Sequence, residues 1–140
     1  MTPTSATNTD TALGIWHVAF PVADLGRSVA FYCGRLGFRL VGRDDETAFV
    51  SLGERGFTIE LMTQPRAEAS NSHQAPDHIA FESHDLDALR RALVSGGLAV
   101  PEIEVIGEGM KRFSLDDPDG VRLDFFQGRD GLEAFIASGD

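Results

Sequence analysis

The chain has 140 residues, of which 42% are hydrophobic and 24% charged, and this is the composition of one ordinary globular domain. Its single cysteine, Cys33, excludes an intramolecular disulfide, and neither a secretion signal nor an apolar run long enough to span a membrane is present. Twenty-two acidic against 12 basic residues give a net charge of -10, which would repel nucleic acid and anionic lipid. We therefore expect a cytoplasmic protein with no nucleic-acid or membrane partner.

Apolar periodicity begins near Ile15 and ends near residue 127. Residues 1–14 are small and polar, and they predict a flexible arm outside the domain. We expect the domain to span 15–127. The remaining segment, 128–140, is expected to form a C-terminal tail that has the length of a short helix.

An internal repeat divides this domain into two halves. The segment IWHVAFPVADL (15–25) matches PDHIAFESHDL (76–86), and FTIELM (57–62) matches VRLDFF (121–126). The repeat aligns four ionisable residues in two equivalent pairs: His17 with His78, and Glu60 with Asp124. It predicts two modules of the same fold, at 15–63 and 76–127.

Each half has the pattern of a βαβββ module in chain order. In the first half Asp24 is a candidate N-cap before apolar residues at helical spacing, and Gly34 or Gly37 can end that helix. In the second half Asp85 is the candidate cap, and Gly96 and Gly97 end the helix. A polar linker (64–76) joins the halves, and DDPDG (116–120) predicts a tight turn between two antiparallel strands.

The four aligned ionisable residues each lie in an otherwise apolar strand. Because side chains alternate between the two faces of a strand, each of them faces away from its apolar neighbours. A curved sheet would gather His17, Glu60, His78 and Asp124 in one concave cleft. Two imidazoles and two carboxylates suit Zn, Ni, Co, Mn or Fe(II).

Structural roles are the alternative for each of these residues. A single histidine on a strand is more often hydrogen-bonded than metal-bound, and Glu60 and Asp124 could be solvated; the repetition favours a metal site. His73 in the linker and His84 before a helix cap are interpreted as solvated. Cys33 is interpreted as a small buried hydrophobe.

Further candidates could contact a substrate. In GEGMKRF (107–113) two glycines precede Lys111 and Arg112, which is typical of a mobile loop whose cations meet an anionic substrate, although solvated surface charges fit equally well. Aromatic side chains could stack on a ligand. The candidates are Phe49 and Phe113, with Trp16 and Phe126.

With these motifs the chain resembles the vicinal oxygen chelate superfamily, which includes glyoxalase I, bleomycin resistance proteins and extradiol dioxygenases. HVAFPVADLGRSVAFYCGRLGFRLV, FTIEL, DHIAFESHDLDAL and DPDGVRLDFFQ carry the resemblance. It implies an α+β fold of paired βαβββ modules, in which a U-shaped, mostly antiparallel eight-stranded sheet surrounds one divalent metal ion. It also implies a homodimer and a metal-ligand set of His17, Glu60, His78 and Asp124.

The resemblance further implies that the metal chelates two neighbouring oxygens of a small substrate while a carboxylate, Glu60 or Asp124, moves a proton. Two departures from the glyoxalase I pattern are visible. Asp124 stands where Glu is usual, so it binds the metal directly, through water or not at all. Pro21 stands where an arginine usually grips glutathione.

Three functions follow as hypotheses. The leading one is a metal-dependent lyase or isomerase of the glyoxalase type, because the four-residue set is complete. The second is a metal-free protein of the bleomycin-resistance type that sequesters a small aromatic or cationic compound. The third is a small ring-cleaving dioxygenase.

Overall fold

A computed structural model of the chain describes residues 15–53, 57–69, 74–106 and 109–128. The predicted arm, nearly all of the predicted tail, and His73 lie outside the described residues. Within the described part of the chain, no helix is long and apolar enough to cross a membrane.

Two successive modules with the same order of elements make up the fold. The first contains β1 (His17–Pro21), α1 (Leu25–Val29), a π-helical segment (Ala30–Arg35), β2 (Arg39–Arg43), β3 (Thr47–Ser51) and β4 (Thr58–Met62). The second contains β5 (His78–Glu82), α3 (Leu86–Ser95), β6 (Glu104–Val105), β7 (Lys111–Asp116) and β8 (Arg122–Gln127). The predicted linker begins with one further short helix, α2 (Gln64–Ala69).

Each module forms its own four-stranded sheet. The strand orders are β1-β4-β3-β2 and β5-β8-β7-β6. In each sheet the first strand runs parallel to the last, and the other two pairings are antiparallel. The α+β class and the paired βαβββ modules are therefore confirmed, and the eight described strands divide into two separate sheets.

Local signals in the sequence account for the ends of the helices. The Asp24 carboxylate accepts a hydrogen bond from the Arg27 backbone N–H at 2.9 Å, and Asp85 accepts one from Ala88 at 3.0 Å. Both predicted N-caps are confirmed. Helix α3 is capped at its C-terminal end by Gly96, and the following Gly97 has a φ of 96°. This backbone conformation is strained for any residue with a side chain.

The apolar faces of both sheets pack on one shared core. Phe20 of β1 and Leu61 of β4 are fully buried in it, together with Phe81 and Phe125 of the second sheet. Phe38, which follows the first helix, meets Phe81 edge to face at a centroid distance of 5.6 Å. Because both sheets turn their apolar faces to one core, their polar faces point away from it.

The turn between β7 and β8 ties the second module to the first helix. Asp117 in this turn accepts a hydrogen bond from the fully buried Tyr32 hydroxyl at 2.7 Å. Asp119 accepts one from the Ala23 backbone N–H at 2.9 Å. Burial, followed by the charge of Asp117, raises the pKa of Tyr32 well above its usual value. The predicted turn is confirmed, and it also links the two modules.

Candidate metal centre

The first candidate pair, His17 and Glu60, meets on the polar face of the first sheet. In the parallel pairing of β1 with β4, Ala19 is in register with Glu60, so His17 lies two residues before that position. His17 Nε2 lies 3.4 Å from Glu60 Oε1. His17 Nδ1 is buried and has no hydrogen-bond partner among the residues the structure describes. An imidazole and a carboxylate at this distance are suited to share a cation.

Aromatic rings border this pair. Phe49 of β3 is in register with Glu60, and its ring meets the His17 ring edge to face at a centroid distance of 5.6 Å. The Trp16 ring also meets the imidazole edge to face, at a centroid distance of 5.2 Å, although the Trp16 side chain is exposed and lies outside the core. Phe49, a predicted ligand contact, therefore lies beside the candidate metal-binding pair.

The second histidine, His78, begins β5 at the equivalent place in the second sheet. Its Nδ1 lies 2.8 Å from the Asp77 carboxylate. This contact, through the hydrogen bond first and the charge second, lowers the pKa of Asp77. Because the carboxylate can only accept, Nδ1 donates to it, which leaves Nε2 as the ring nitrogen that a metal could bind, as in a metal-binding histidine that is oriented by an acidic partner.

The second carboxylate, Asp124, lies in different surroundings from those of Glu60. Its side chain is only 4% exposed, and Ser114 Oγ donates a hydrogen bond to Oδ1 at 2.5 Å. Arg122 lies on the same face, with Nε 3.1 Å from Oδ1 and Nη2 3.3 Å from Oδ2. Both Asp124 oxygens are therefore engaged with groups of the same chain.

A single chain does not gather the four predicted ligands. Among the described residues, no three His, Cys, Asp or Glu side chains lie close enough together to hold a metal ion. His17 and Glu60 lie on the first sheet, whereas His78 and Asp124 lie on the second. The described part of a single chain therefore does not bring His17, Glu60, His78 and Asp124 together in one cluster.

The residues expected in a mobile substrate loop are instead part of β7. Lys111 Nζ contacts Asp87 of α3 at 3.2 Å, and Arg112 Nη2 contacts Glu104 of β6 at 3.2 Å. Phe113 is 1% exposed and stacks on a neighbouring ring in the core, so it does not contact a ligand on the polar face. The glycines of this segment precede a strand, and Lys111 and Arg112 pair with both neighbouring strands. Cross-strand pairing therefore fixes the backbone that carries these two cations.

Arg122 is the polar residue that the sequence interpretation missed. It precedes Asp124 by two positions, so strand alternation places both on one face. Arg122 and Ser114 also line a cavity of about 340 Å³ beside Leu98, Pro101 and neighbouring residues. The spacing from Asp124 would have identified Arg122 as an ion-pair partner.

Comparison with known proteins assigns the fold to a family. Residues 14–125 match the Glyoxalase/Bleomycin resistance protein/Dioxygenase superfamily. The chain belongs to this superfamily. Its members commonly bind divalent metals and act on small molecules, and they include both enzymes and binding proteins.

Individual relatives have diverse names. The uncharacterized protein YaeR of Escherichia coli K12 is 32% identical over 127 residues, which cover 81% of this chain and 95% of YaeR. Lactoylglutathione lyase of Neisseria meningitidis serogroup A is 30% identical, with 82% of this chain and 91% of the lyase covered. The crystal structure of lactoylglutathione lyase from Agrobacterium tumefaciens superimposes with a TM-score of 0.70 at 18% identity, covering 84% and 96% of the two chains.

Proposed function

We propose that the protein is a lyase or isomerase of the glyoxalase type that depends on one divalent metal ion per site. The observation that carries the proposal is the His17–Glu60 pair, with 3.4 Å between Nε2 and Oε1. The buried His17 Nδ1 without a described partner supports it, and so does the contact of Asp77 with His78 Nδ1, which leaves Nε2 of that ring available to a metal. This nitrogen and oxygen donor set is compatible with Zn, Ni, Co, Mn or Fe(II).

The complete site in this proposal is built by two copies of the chain in a homodimer. One copy supplies His17 and Glu60, and the other supplies His78. The argument is geometric, because His17 and Glu60 lie on one sheet and His78 on the other, and the described part of one chain brings no three such side chains together. A second copy can supply the missing histidine. A cytoplasmic location completes the proposal.

Glu60 is the proton-transfer residue of the proposed reaction. Its carboxylate is bordered by His17 and Phe49, and its side chain is 15% exposed, so a substrate proton can reach Oε1. Asp124 is the poorer base because Ser114 and Arg122 already donate to its oxygens. A bound divalent ion would supply Lewis acidity that polarises vicinal substrate oxygens. Phe49 would exclude water from one side of that space.

The first test is elemental analysis of protein purified without chelators or a His tag. His17→Ala and His78→Ala should each lose the bound divalent ion, and His84→Ala, at an exposed histidine before α3, should retain it. Retention in the control and loss in both variants would justify assays with hemithioacetals, epimerisable thioesters and catechols. Wild-type protein that neither contains nor takes up metal would refute the proposal.

Metal-free sequestration of a small molecule is the second candidate function. The cavity of about 340 Å³ favours it, because apolar side chains provide most of its lining and neither His17 nor Glu60 borders it. Binding of an aromatic or cationic compound by chelator-treated protein would support this function. A ring-cleaving dioxygenase remains a variant of the metal-dependent proposal, and oxygen consumption with catechols would distinguish it.

A further inference from the structure

We propose that only three of the four predicted residues hold the metal, namely His17, Glu60 and His78, and that Asp124 is a positioning residue paired with Arg122. This inference rests on the proposed function and specifies its site. It assigns the two carboxylates of the internal repeat different roles, one toward the metal and one toward an internal cation.

The first argument is the hydrogen-bond state of Asp124. Asp124 Oδ1 accepts a hydrogen bond from Ser114 Oγ at 2.5 Å and lies 3.1 Å from Arg122 Nε. Oδ2 accepts a hydrogen bond from Arg122 Nη2 at 3.3 Å. A two-point contact between guanidinium and carboxylate is among the stronger side-chain interactions in proteins. With a side chain only 4% exposed, Asp124 has little room to turn toward another ligand.

The second argument is the cost of replacing this partner with a metal. Arg122 is in register with His78 on the neighbouring strand, so the arginine is a direct neighbour of a proposed metal ligand. Coordination by Asp124 would break the ion pair and leave an uncompensated arginine close to a dication. The Arg122 side chain is half-exposed, so water would offset part of the lost pairing, and repulsion between the guanidinium and the dication would add to the cost that remains.

The third argument is that Glu60, unlike Asp124, is paired with no arginine or lysine in the described part of the chain. Glu60 contacts only the imidazole among the ion pairs of the described residues, and the Nε2 atom of His78 faces away from its Asp77 partner. Two imidazoles and one carboxylate leave open coordination positions. A substrate that chelates through two neighbouring oxygens needs such positions.

The experiment is a titration of metal-free protein with Co²⁺, read by visible absorption, which reports both affinity and the ligand set. Asp124→Asn should keep the wild-type Co²⁺ spectrum, and its affinity should fall by less than that of Glu60→Gln, because the substitution removes the charge that offsets Arg122 but no metal ligand. Glu60→Gln should bind about tenfold to a hundredfold more weakly, which is the usual size of an effect at a ligand or its immediate partner. Asp116→Asn, at an exposed carboxylate on the same hairpin, is the matched control and should be unchanged.

Substitution of the arginine should change Co²⁺ affinity in the opposite direction, toward tighter binding. Arg122→Gln frees Asp124 for the metal, so Co²⁺ affinity should rise by about tenfold and the spectrum should change as a carboxylate joins the set. The gain should vanish in the Arg122→Gln/Asp124→Asn double variant. Circular dichroism would verify that each variant is folded.

The outcomes separate this inference from the proposed function. Wild-type protein that binds Co²⁺ and loses it in Asp124→Asn as strongly as in Glu60→Gln would overturn the three-residue set alone. If Arg122→Gln had the Co²⁺ affinity and spectrum of the wild type, Arg122 would not be the group that keeps Asp124 from the metal. Wild-type protein that binds no Co²⁺ would overturn both the inference and the proposed function.

Discussion

Glu60 and Asp124 occupy equivalent positions of the repeat, two residues along the parallel pairing from their histidines, yet their neighbours differ. Position 58 is Thr before Glu60, whereas position 122 is Arg before Asp124. The arginine side chain reaches forward along its own strand to the carboxylate. The chemistry of each carboxylate is therefore decided by the residue two positions earlier as much as by its own side chain.

Two of the aromatic residues that were predicted to contact a ligand, Phe49 and Phe113, lie in different environments. Phe113 is buried and stacks on Phe125 at 5.1 Å, while Phe49 is half-buried beside His17. We predict that Phe113→Ala lowers the free energy of unfolding by about 3–5 kcal/mol, because it leaves a cavity in the core. Phe49→Ala should cost clearly less. Urea denaturation of the two variants, followed by circular dichroism, measures both values, and equal losses would contradict the assignment.

At the scale of elements, a buried hydrogen bond connects the π-helical segment with the last hairpin. The π-helical segment holds Tyr32 inward, and its hydroxyl donates to Asp117 Oδ2. Oδ1 of the same aspartate accepts from the backbone N–H groups of Asp119 and Val121. The turn that closes the second sheet is thereby organised by a residue of the first module.

Loss of this hydroxyl should destabilise the protein at neutral pH. Tyr32→Phe leaves Asp117 Oδ2 buried without its donor, and we expect the free energy of unfolding to fall by about 1–3 kcal/mol. Chemical denaturation at pH 7 measures the change. Phe31→Leu, at a partly buried neighbour on the same segment, provides a comparison that retains the hydrogen bond. A neutral Tyr32→Phe variant would show that the bond adds nothing.

The raised pKa of Tyr32 also predicts an alkaline limit to stability. In the unfolded chain the phenol ionises near its ordinary pKa of 10.0, whereas in the folded chain it stays protonated. Stability is therefore complete below that pKa and declines as pH rises above it. Tyr32 is the chain's single tyrosine, so tyrosinate absorbance should appear only when the protein unfolds. Ionisation in the native state near its ordinary pKa would contradict the burial.

At the scale of the whole molecule, the proposed site requires two chains. We predict that His17→Ala and His78→Ala complement each other when mixed, unfolded and refolded together. In a mixed dimer one site combines both substitutions, while the other combines His17 of the second variant with His78 of the first. About one metal ion per mixed dimer should return, although neither variant binds metal alone. Elemental analysis of the mixed dimer, isolated with two different affinity tags, measures it after tag removal.

A site contained in one chain would give the opposite result. No metal would return to the mixed dimer, because each chain would carry its own defect. A mixture of His17→Ala with Glu60→Ala is the matched control. Both substitutions affect the same sheet, so every site in that mixed dimer remains damaged and no metal should return.

Sequence alone determined the features that depend on neighbours along the chain. The caps at Asp24 and Asp85, the turn at 116–120 and the repeated βαβββ pattern follow from local hydrogen bonding and alternation, and the structure confirms them. The strand pattern also placed His17 and Glu60 on one face, where they meet. These features need no knowledge of how the modules pack.

Only the tertiary structure decided which polar groups meet across the fold. His17 and Glu60 belong to one sheet and His78 and Asp124 to the other, and the described part of one chain does not bring the four predicted ligands together. Lys111 and Arg112, which were expected in a loop, belong to a strand because they pair with a neighbouring strand. The same pairing places Ser114 opposite Asp124, where the two side chains form a hydrogen bond. Such contacts join residues that are distant in sequence. They depend on sheet register and on the direction in which each sheet faces its core, neither of which a local pattern specifies.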